Sequence, residues 1–585
     1  MSEVVPGNTP APLGRVAAPP GHESTSGTFY FWVDKSRTVE RTQIVTTTST
    51  IADRPVGFVG IVKEVYRRSR QKDVHEEAAR FDGKTAERPP FDSEGVTYAE
   101  ATILRTAPVA HTPPTEESEV ALAGAKEAGD GYGYAEMGQR LDVGLLKNGG
   151  TAYAGPAAID LDYLLGENGG HLNVNGIAGL GAKTSFLLHV NSLLLAEADR
   201  QAATLGMNAK DRLQIVPVVF NVKNYDLFFI DHWGKGWQKR KEQALPEWKD
   251  YLKTDSPTPF RDVKFYAPQL KGQTNAADVG RKVQPYSWAL ADVIEHGLFR
   301  FLFADEDLYD ANFGGLAGDL EDRLTDRHTG SLNTNGGNTA TFEKLVDWFR
   351  DNGDKFPDSA PGTRGKLLRR LKFIVNEGDG VLRKDQPKGN PLVVPKAGTP
   401  GPIVIDLFAI RRTPSLQRFV VAAVLEQMIR NRSGTASVDG LRYVVTLDEL
   451  NRFAPKGGTD PITKKVEEVA AEMRSQGVIL LGAQQQASLV SPRVIENAGV
   501  RAVGRSGSLE LTAEVWKFLP PADRTQAGQL QADEKLLVLP SFRAPMLARI
   551  PYPPWALKKE DAADPFAPAG AAPPANKPQV EPEFA

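Results

Sequence analysis

The sequence predicts an α/β protein: a mainly parallel, helix-covered sheet that follows a small β-rich domain. Three observations carry that expectation. First, HLNVNG, IAGLGAKT and SFLLHVNSLLLAEADRQAA read in succession as strand, glycine turn and helix. Second, LQIVPVVFNV, GPIVIDLF, LRYVVTLDE and GVILLGAQQ are continuous apolar runs, the pattern of strands covered on both faces. Third, TFYFWV, RTQIVTTTS, VGFVGIVKEVY and VTYAEATILRT crowd Thr, Val and aromatic residues between turn residues in the first third of the chain, which predicts a small barrel or sandwich.

The elements divide the chain as follows. Residues 1–27 are rich in Pro, Gly, Ser and Thr and are expected to be a disordered tail, and 554–585, rich in Pro and Ala, a second one. Residues 28–150 form the β-rich domain and 151–553 the α/β domain, interrupted at about 227–400 by a heterogeneous insertion. Within the insertion FEKLVDWFRDN and RGKLLRRLKFIV have helical spacing, whereas GSLNTNGGNTAT reads as a loop.

Composition narrows the chemistry. At 585 residues, with 41% apolar and 24% charged residues, the chain has enough apolar content for several folded units. It has no cysteine, which excludes disulfides, thiolate metal sites and cysteine nucleophiles. No apolar run reaches the length of about 18 residues that suggests a membrane span, and the first residues carry no signal-peptide pattern; a cytoplasmic location without membrane contact is expected. The net charge of −3 supplies no global basic field, so any nucleic-acid contact would be local. Lys464, Lys465 and Arg474 offer such a patch, or equally a solvated helix face.

The glycine turn has the parts of a phosphate loop. Gly176, Gly179 and Gly181 permit inward-facing backbone N–H groups, Lys183 would meet the β- and γ-phosphates, and Thr184 would ligate Mg²⁺, with Ser185 following on the helix. The match to G-x-x-x-x-G-K-[ST] is irregular: Gly176 lies seven residues before Lys183, and Ala182 stands where the pattern has glycine. If Ala182 must take a positive φ or approach phosphate closely, its Cβ disfavours rapid turnover. A glycine-rich turn ahead of an ordinary helix would share these features.

The run Tyr443 to Leu447 ends in Asp448 and Glu449. Carboxylates at such a strand end suit a metal ligand, Asp448, and a water-activating base, Glu449. Downstream, Gln484 closes a strand where a neutral polar group could sense the γ-phosphate, while Gln485 and Gln486 would only cover the loop. Arg501 and Arg505 flank the next strand, and either could act on a neighbouring subunit's nucleotide.

GIAGLGAKTS, VVTLDELNRFAP and ILLGAQQQASLVSPRVIENAGVRAVGRS together resemble the HerA-like ATPases with a DUF87-type core, in the HerA/FtsK superfamily. VVFNVKNYDLFFID is similar to that group's VFDPHGEY strand, with Asn221 in place of aspartate and Asp226 near the glutamate. The resemblance covers about half the chain. It implies a RecA-like P-loop core, a HAS-barrel in front, ATP and Mg²⁺ as cofactors, and a homohexameric ring moving on double-stranded DNA with a nuclease or other effector, in DNA processing or antiviral defence. The alternative is a nucleotide-binding scaffold for a partner effector, without translocation.

Overall fold

The computed structural model describes residues 12–69, 75, 78–79, 81–84, 86, 95–166, 169–177, 182–206, 212–270, 273–274, 280–378, 380–433 and 440–564. The chain forms two compact units. The first comprises 1–161, 519–526 and 534–550, and the second 162–518, 527–533 and 551–585.

In the first unit β1 (Gly14–Val16), β2 (Thr28–Val33), β3 (Ile44–Ile51), β4 (Arg54–Ser69), β5 (Gly95–Ala107) and β6 (Glu119–Leu122) close a barrel in the order β1-β2-β5-β4-β3-β6, with β6 returning to β1. Alternation explains its core. Phe29, Phe31 and Val33 of β2 point inward with Val45, Phe58, Val62, Ala99 and Ala101, while Trp32 faces out. The register between β4 and β5 shifts at Val59/Gly60. A Cβ at Gly60 would lie 2.8 Å from the Phe29 ring, so the bulge requires glycine.

Beside the barrel, this unit contains an antiparallel ribbon. β7 (Arg140–Lys147) pairs with β8 (Tyr153–Asp160) and with β19 (Met546–Arg549), which in turn pairs with β18 (Glu534–Val538). Two expectations change here. The tail assigned to 1–27 contains β1, a three-residue strand anchored by buried Val16. The β-rich unit also runs past residue 150, because β8 hydrogen-bonds to β7.

The second unit is built on a mainly parallel sheet. Its strands are β9 (Leu172–Asn175), β10 (Gln214–Asn221), β11 (Lys264–Leu270), β12 (Gln273–Thr274), β13 (Gln284–Tyr286), β14 (Ile403–Asp406), β15 (Leu441–Leu447), β16 (Val478–Gln484) and β17 (Val500–Val503). They run in the order β12-β11-β14-β10-β15-β16-β9-β17, with β13 on β11. β16 thus separates the glycine-turn strand β9 from the acidic strand β15, the additional strand of the RecA-like P-loop arrangement. Every neighbour pair is parallel except β11 with β12. β9, β15 and β16 are buried throughout, as continuous apolar runs require.

Helix α2 (Ala182–Leu205) follows β9; α1 is Ala125–Gly131 of the first unit. The insertion is mainly helical, with α3 (Lys235–Leu252), α4 (Ala311–Leu324), α5 (Phe342–Asn352) and α6 (Pro361–Glu377). It also contributes β11, which joins the main sheet beside β14, so the stretch from 227 to 400 is not wholly outside the sheet. α7 (Pro414–Arg432) and α8 (Pro461–Ala471) complete the larger helices. The Pro/Ala-rich segment has as its second residue Trp555, fully buried against Phe260 and Trp248; of the tail expected at 554–585, residues 565–585 lie outside the described residues. Among the described residues no helix is long and apolar enough to cross a membrane.

Candidate nucleotide site

Parallel register aligns the strand ends. Gln484 is opposite Asn175, Leu447 opposite Gly482, Phe220 opposite Leu447 and Asn221 opposite Asp406. Residues that follow β9, β10, β14, β15 and β16 therefore meet at one edge, where the carboxyl ends of a parallel sheet form a crevice.

At that edge Lys183 and Thr184, in the first turn of α2, and the acidic strand end converge. The Thr184 hydroxyl, in the first turn of α2, donates to Asp448 Oδ2 at 2.8 Å. Lys183 is buried, and its Nζ donates to the carbonyls of Gly176 at 2.9 Å and Ile177 at 3.4 Å. Burial pushes its ammonium below the usual lysine range, opposed by Asp448 and Glu449. Ala182 opens α2 and Ser185 is half-buried on it. Gly179 and Gly181 lie outside the described residues. Deeper along α2, buried Asn191 donates to the Thr446 hydroxyl at 2.9 Å; this bond ties the helix to β15.

Glu449 sits in the left-handed region, at φ 55° and ψ 51°. A non-glycine residue there costs on the order of 1 kcal/mol, and its own N–H compensates by donating to Asp448 Oδ1 at 2.8 Å. Its carboxylate Oε1 accepts from Lys223 Nζ at 2.5 Å and from Gln485 Nε2 at 2.9 Å. Lys223 also donates to Asp448 Oδ2 at 3.3 Å. Burial works to raise the Glu449 pKa, yet these bonds and the nearby lysines hold it below the usual range. Correspondingly, half-burial works against the Lys223 ammonium, but the two carboxylates carry it above the ordinary lysine value.

Several sequence expectations meet a different geometry. Gln484 is fully buried and exchanges two amide bonds with Asn173, at 3.0 and 2.6 Å. The half-buried Gln485 is the glutamine that reaches Glu449, because side chains alternate across a strand end and Gln484 takes the inward place. Arg501 is half-buried with its guanidinium 4.6 Å from the Phe518 ring centroid, and burial lowers its pKa. Arg505 is exposed, and its carbonyl accepts from Ile177 N–H at 2.8 Å. Lys465 is held by Glu426 at 2.7 Å and Glu468 at 2.6 Å, whereas Lys464 and Arg474 are exposed.

Lys223 is the residue that sequence reasoning missed. It stands two positions after Asn221 at the end of β10, and strand order alone puts β10 beside β15. Asn221 donates to buried Asp406 at 3.0 Å. Burial pushes the Asp406 carboxyl up to about 7, against the hydrogen bonds from Asn221, Phe408 and Ala409. Half-buried Asp226, its carboxyl raised by burial, lines a pocket with Thr184, Lys223 and Asp448.

The donor set suits Mg²⁺. A hydroxyl and a carboxylate, both hard oxygen ligands, meet at 2.8 Å, and among the described residues no cluster of three His, Cys, Asp or Glu forms a metal cage. Mg²⁺ is commonly held by one or two carboxylates completed by substrate phosphates.

No family model matches the chain, and no curated protein sequence does. Solved structures with a similar chain trace include VirB4 of Thermoanaerobacter pseudethanolicus, at 15% identity over 71% of this chain and 97% of that one, TM-score 0.43. The bacterial conjugative coupling protein TrwBdeltaN70 is 12% identical over 73% and 91%, TM-score 0.41. The genome packaging NTPase B204 from Sulfolobus turreted icosahedral virus 2 is 12% identical over 26% and 69%, TM-score 0.20. Likeness at this level carries no assignment of function, which rests on the site itself.

Proposed function

We propose that the chain is a Mg²⁺-dependent ATPase of the HerA-like kind that works as a homohexameric ring on double-stranded DNA with a nuclease or other effector. The supporting observation is the meeting of Thr184 and Asp448 at the sheet edge, with Lys183 and Glu449 beside them. Lys183 exchanges its two carbonyl partners for β- and γ-phosphate oxygens, and the N-terminus of α2 faces the same anion. Thr184 and Asp448 are the residues that would hold Mg²⁺; when bound, the ion supplies charge neutralisation and Lewis acidity at the phosphates.

Glu449, kept ionised by its partners, orients the attacking water and takes its proton. The water oxygen bonds to the γ-phosphorus as the bond to the β,γ-bridging oxygen breaks, giving ADP and inorganic phosphate. Arg501 or Arg505 would serve the neighbouring subunit's nucleotide, with Arg505 the exposed one. Exposed Lys464 and Arg474 would meet the DNA backbone. That contact should weaken steeply as salt rises.

Steady-state ATP hydrolysis by wild type and Glu449→Gln, each with and without double-stranded DNA, tests the motor. Turnover raised by DNA and lost in the variant is expected; near-zero rates in all four samples would refute it. Ala182, in the glycine place of the loop, favours a second reading, a nucleotide-binding scaffold for an effector. Nucleotide binding, ring formation and partner recruitment without hydrolysis would establish that reading.

A further inference from the structure

Two carboxylates lie side by side at the end of β15, with Asp448 and Glu449 side chains only 6% and 10% exposed. Buried neighbouring anions require compensation by a cation or strong donors. Lys183 is engaged with backbone carbonyls. The cation that touches both carboxylates is Lys223, at 3.3 and 2.5 Å.

The oxygen contacted on Asp448 is informative. Oδ2 accepts from both Lys223 and Thr184, and Thr184 with Asp448 is the pair that suits the metal. An ammonium and a divalent cation cannot share that oxygen at contact distance without strong repulsion. Lys223 is also well placed to move: its side chain is 40% exposed and opens on the pocket that contains Asp226.

We propose that Lys223 is a tethered counter-ion that occupies the Asp448–Glu449 pair in the nucleotide-free chain and must leave Asp448 before the metal site can form. This rests on the nucleotide-site reading above. Lys223 is a positioning residue: with Gln485 it holds Glu449 Oε1 and keeps the carboxylate from free water until metal and phosphates replace its charge. Metal affinity without nucleotide is therefore suppressed, and the site is loaded by metal and phosphate together.

The test is Mn²⁺ binding to the full chain without nucleotide, followed by the paramagnetic resonance of free Mn²⁺. Lys223→Met should bind Mn²⁺ about tenfold more tightly than wild type, or better, because a unit charge in contact with the ligand oxygen has gone. Lys223→Arg keeps the cation and should stay near wild type. Adding Asp448→Asn to Lys223→Met should abolish the gain. Equal Mn²⁺ affinity in wild type and Lys223→Met would overturn the proposal; if the Met variant does not fold by circular dichroism, Lys223→Gln takes its place with the same expectation. A fluorescent ATP analogue titrated with wild type and Lys183→Ala separates the two readings. Nucleotide binding by wild type without the Mn²⁺ gain refutes the counter-ion alone, whereas the gain without nucleotide binding refutes the nucleotide site and leaves the counter-ion supported.

Discussion

Replacing each of two adjacent glutamines by alanine should separate stability from turnover. Gln484 has no exposed surface, and its amide exchanges two hydrogen bonds with that of Asn173. Gln484→Ala deletes both bonds and leaves a buried amide without its donor and acceptor. At about 1 kcal/mol for each net bond, with a desolvation cost for the orphaned group, the loss is about 3 kcal/mol. The thermal midpoint should fall by roughly 3–6 °C. The variant should remain folded at 25 °C with nearly unchanged turnover per folded molecule. Gln485 is half-buried and donates to Glu449. Gln485→Ala should cost less than about 1 kcal/mol of stability, yet on the proposed mechanism lower ATP turnover about tenfold, because Glu449, the proposed base, would lose its orienting donor. Thermal denaturation and steady-state hydrolysis on the same preparations make the comparison. A Gln484→Ala protein with wild-type stability and abolished turnover would refute the reasoning and return the sensor role to Gln484.

Three further outcomes follow from particular contacts. The Asp406 carboxyl is raised to about 7 in the fold, so it binds its proton more tightly folded than unfolded; its stabilising contribution is complete below about pH 4 and lost as pH rises through 7. The stability of Asp406→Asn relative to wild type should therefore improve between pH 5 and 7, with a slope of up to about 1.4 kcal/mol per pH unit, and a flat difference in urea titrations would contradict this. Asp460 caps α8 by accepting from Ile462 and Thr463 N–H, both at 2.9 Å, and pairs with Arg418. Asp460→Ala should cost about 4 kcal/mol, most of it from leaving Arg418 partly buried without its anion, while Asp460→Asn, which keeps a cap oxygen, should cost visibly less in the same denaturation assay. Phe31→Ala empties the centre of the barrel and should lower stability by about 4 kcal/mol, read as faster amide exchange across β2 and β5.

The main sheet was legible because burial on both faces writes itself into sequence as uninterrupted apolar runs: VVFN, IVID, YVVTL and VILLGAQ all became strands. Short or composite elements were less visible. Three residues of β1 in a Pro- and Gly-rich context carry too little periodicity, and β11 was hidden in an insertion whose helices dominate the pattern. The site was half legible for a related reason. Thr184, Lys183, Asp448 and Glu449 announce themselves by local context, whereas Lys223 meets Asp448 across 225 positions of chain. Only the placement of β10 against β15 makes that contact. A lysine two positions after one strand end, with paired acids directly after another, was the signal that could have found it. The exchange between Gln484 and Gln485 turns on a single residue of strand parity, which composition does not fix.

On the nucleotide-site reading proposed above, the contacts at the sheet edge make nucleotide binding an exchange of partners. Lys183 would leave the Gly176 carbonyl, Thr184 would leave Asp448, and Glu449 would give up part of its hold on Lys223, the contacts that each makes in this structure. Each bond broken subtracts from each bond gained, so affinity reports a difference between two satisfied states. Two lysines in one site should then act with opposite signs on cation and ligand. Lys183→Ala removes a phosphate contact and weakens nucleotide binding, whereas Lys223→Met removes a competitor and strengthens metal binding. A site in which both substitutions weakened metal and nucleotide alike would be one in which Lys223 acts as a ligand contact, and the opposite signs are what distinguish a counter-ion from a second phosphate-binding lysine.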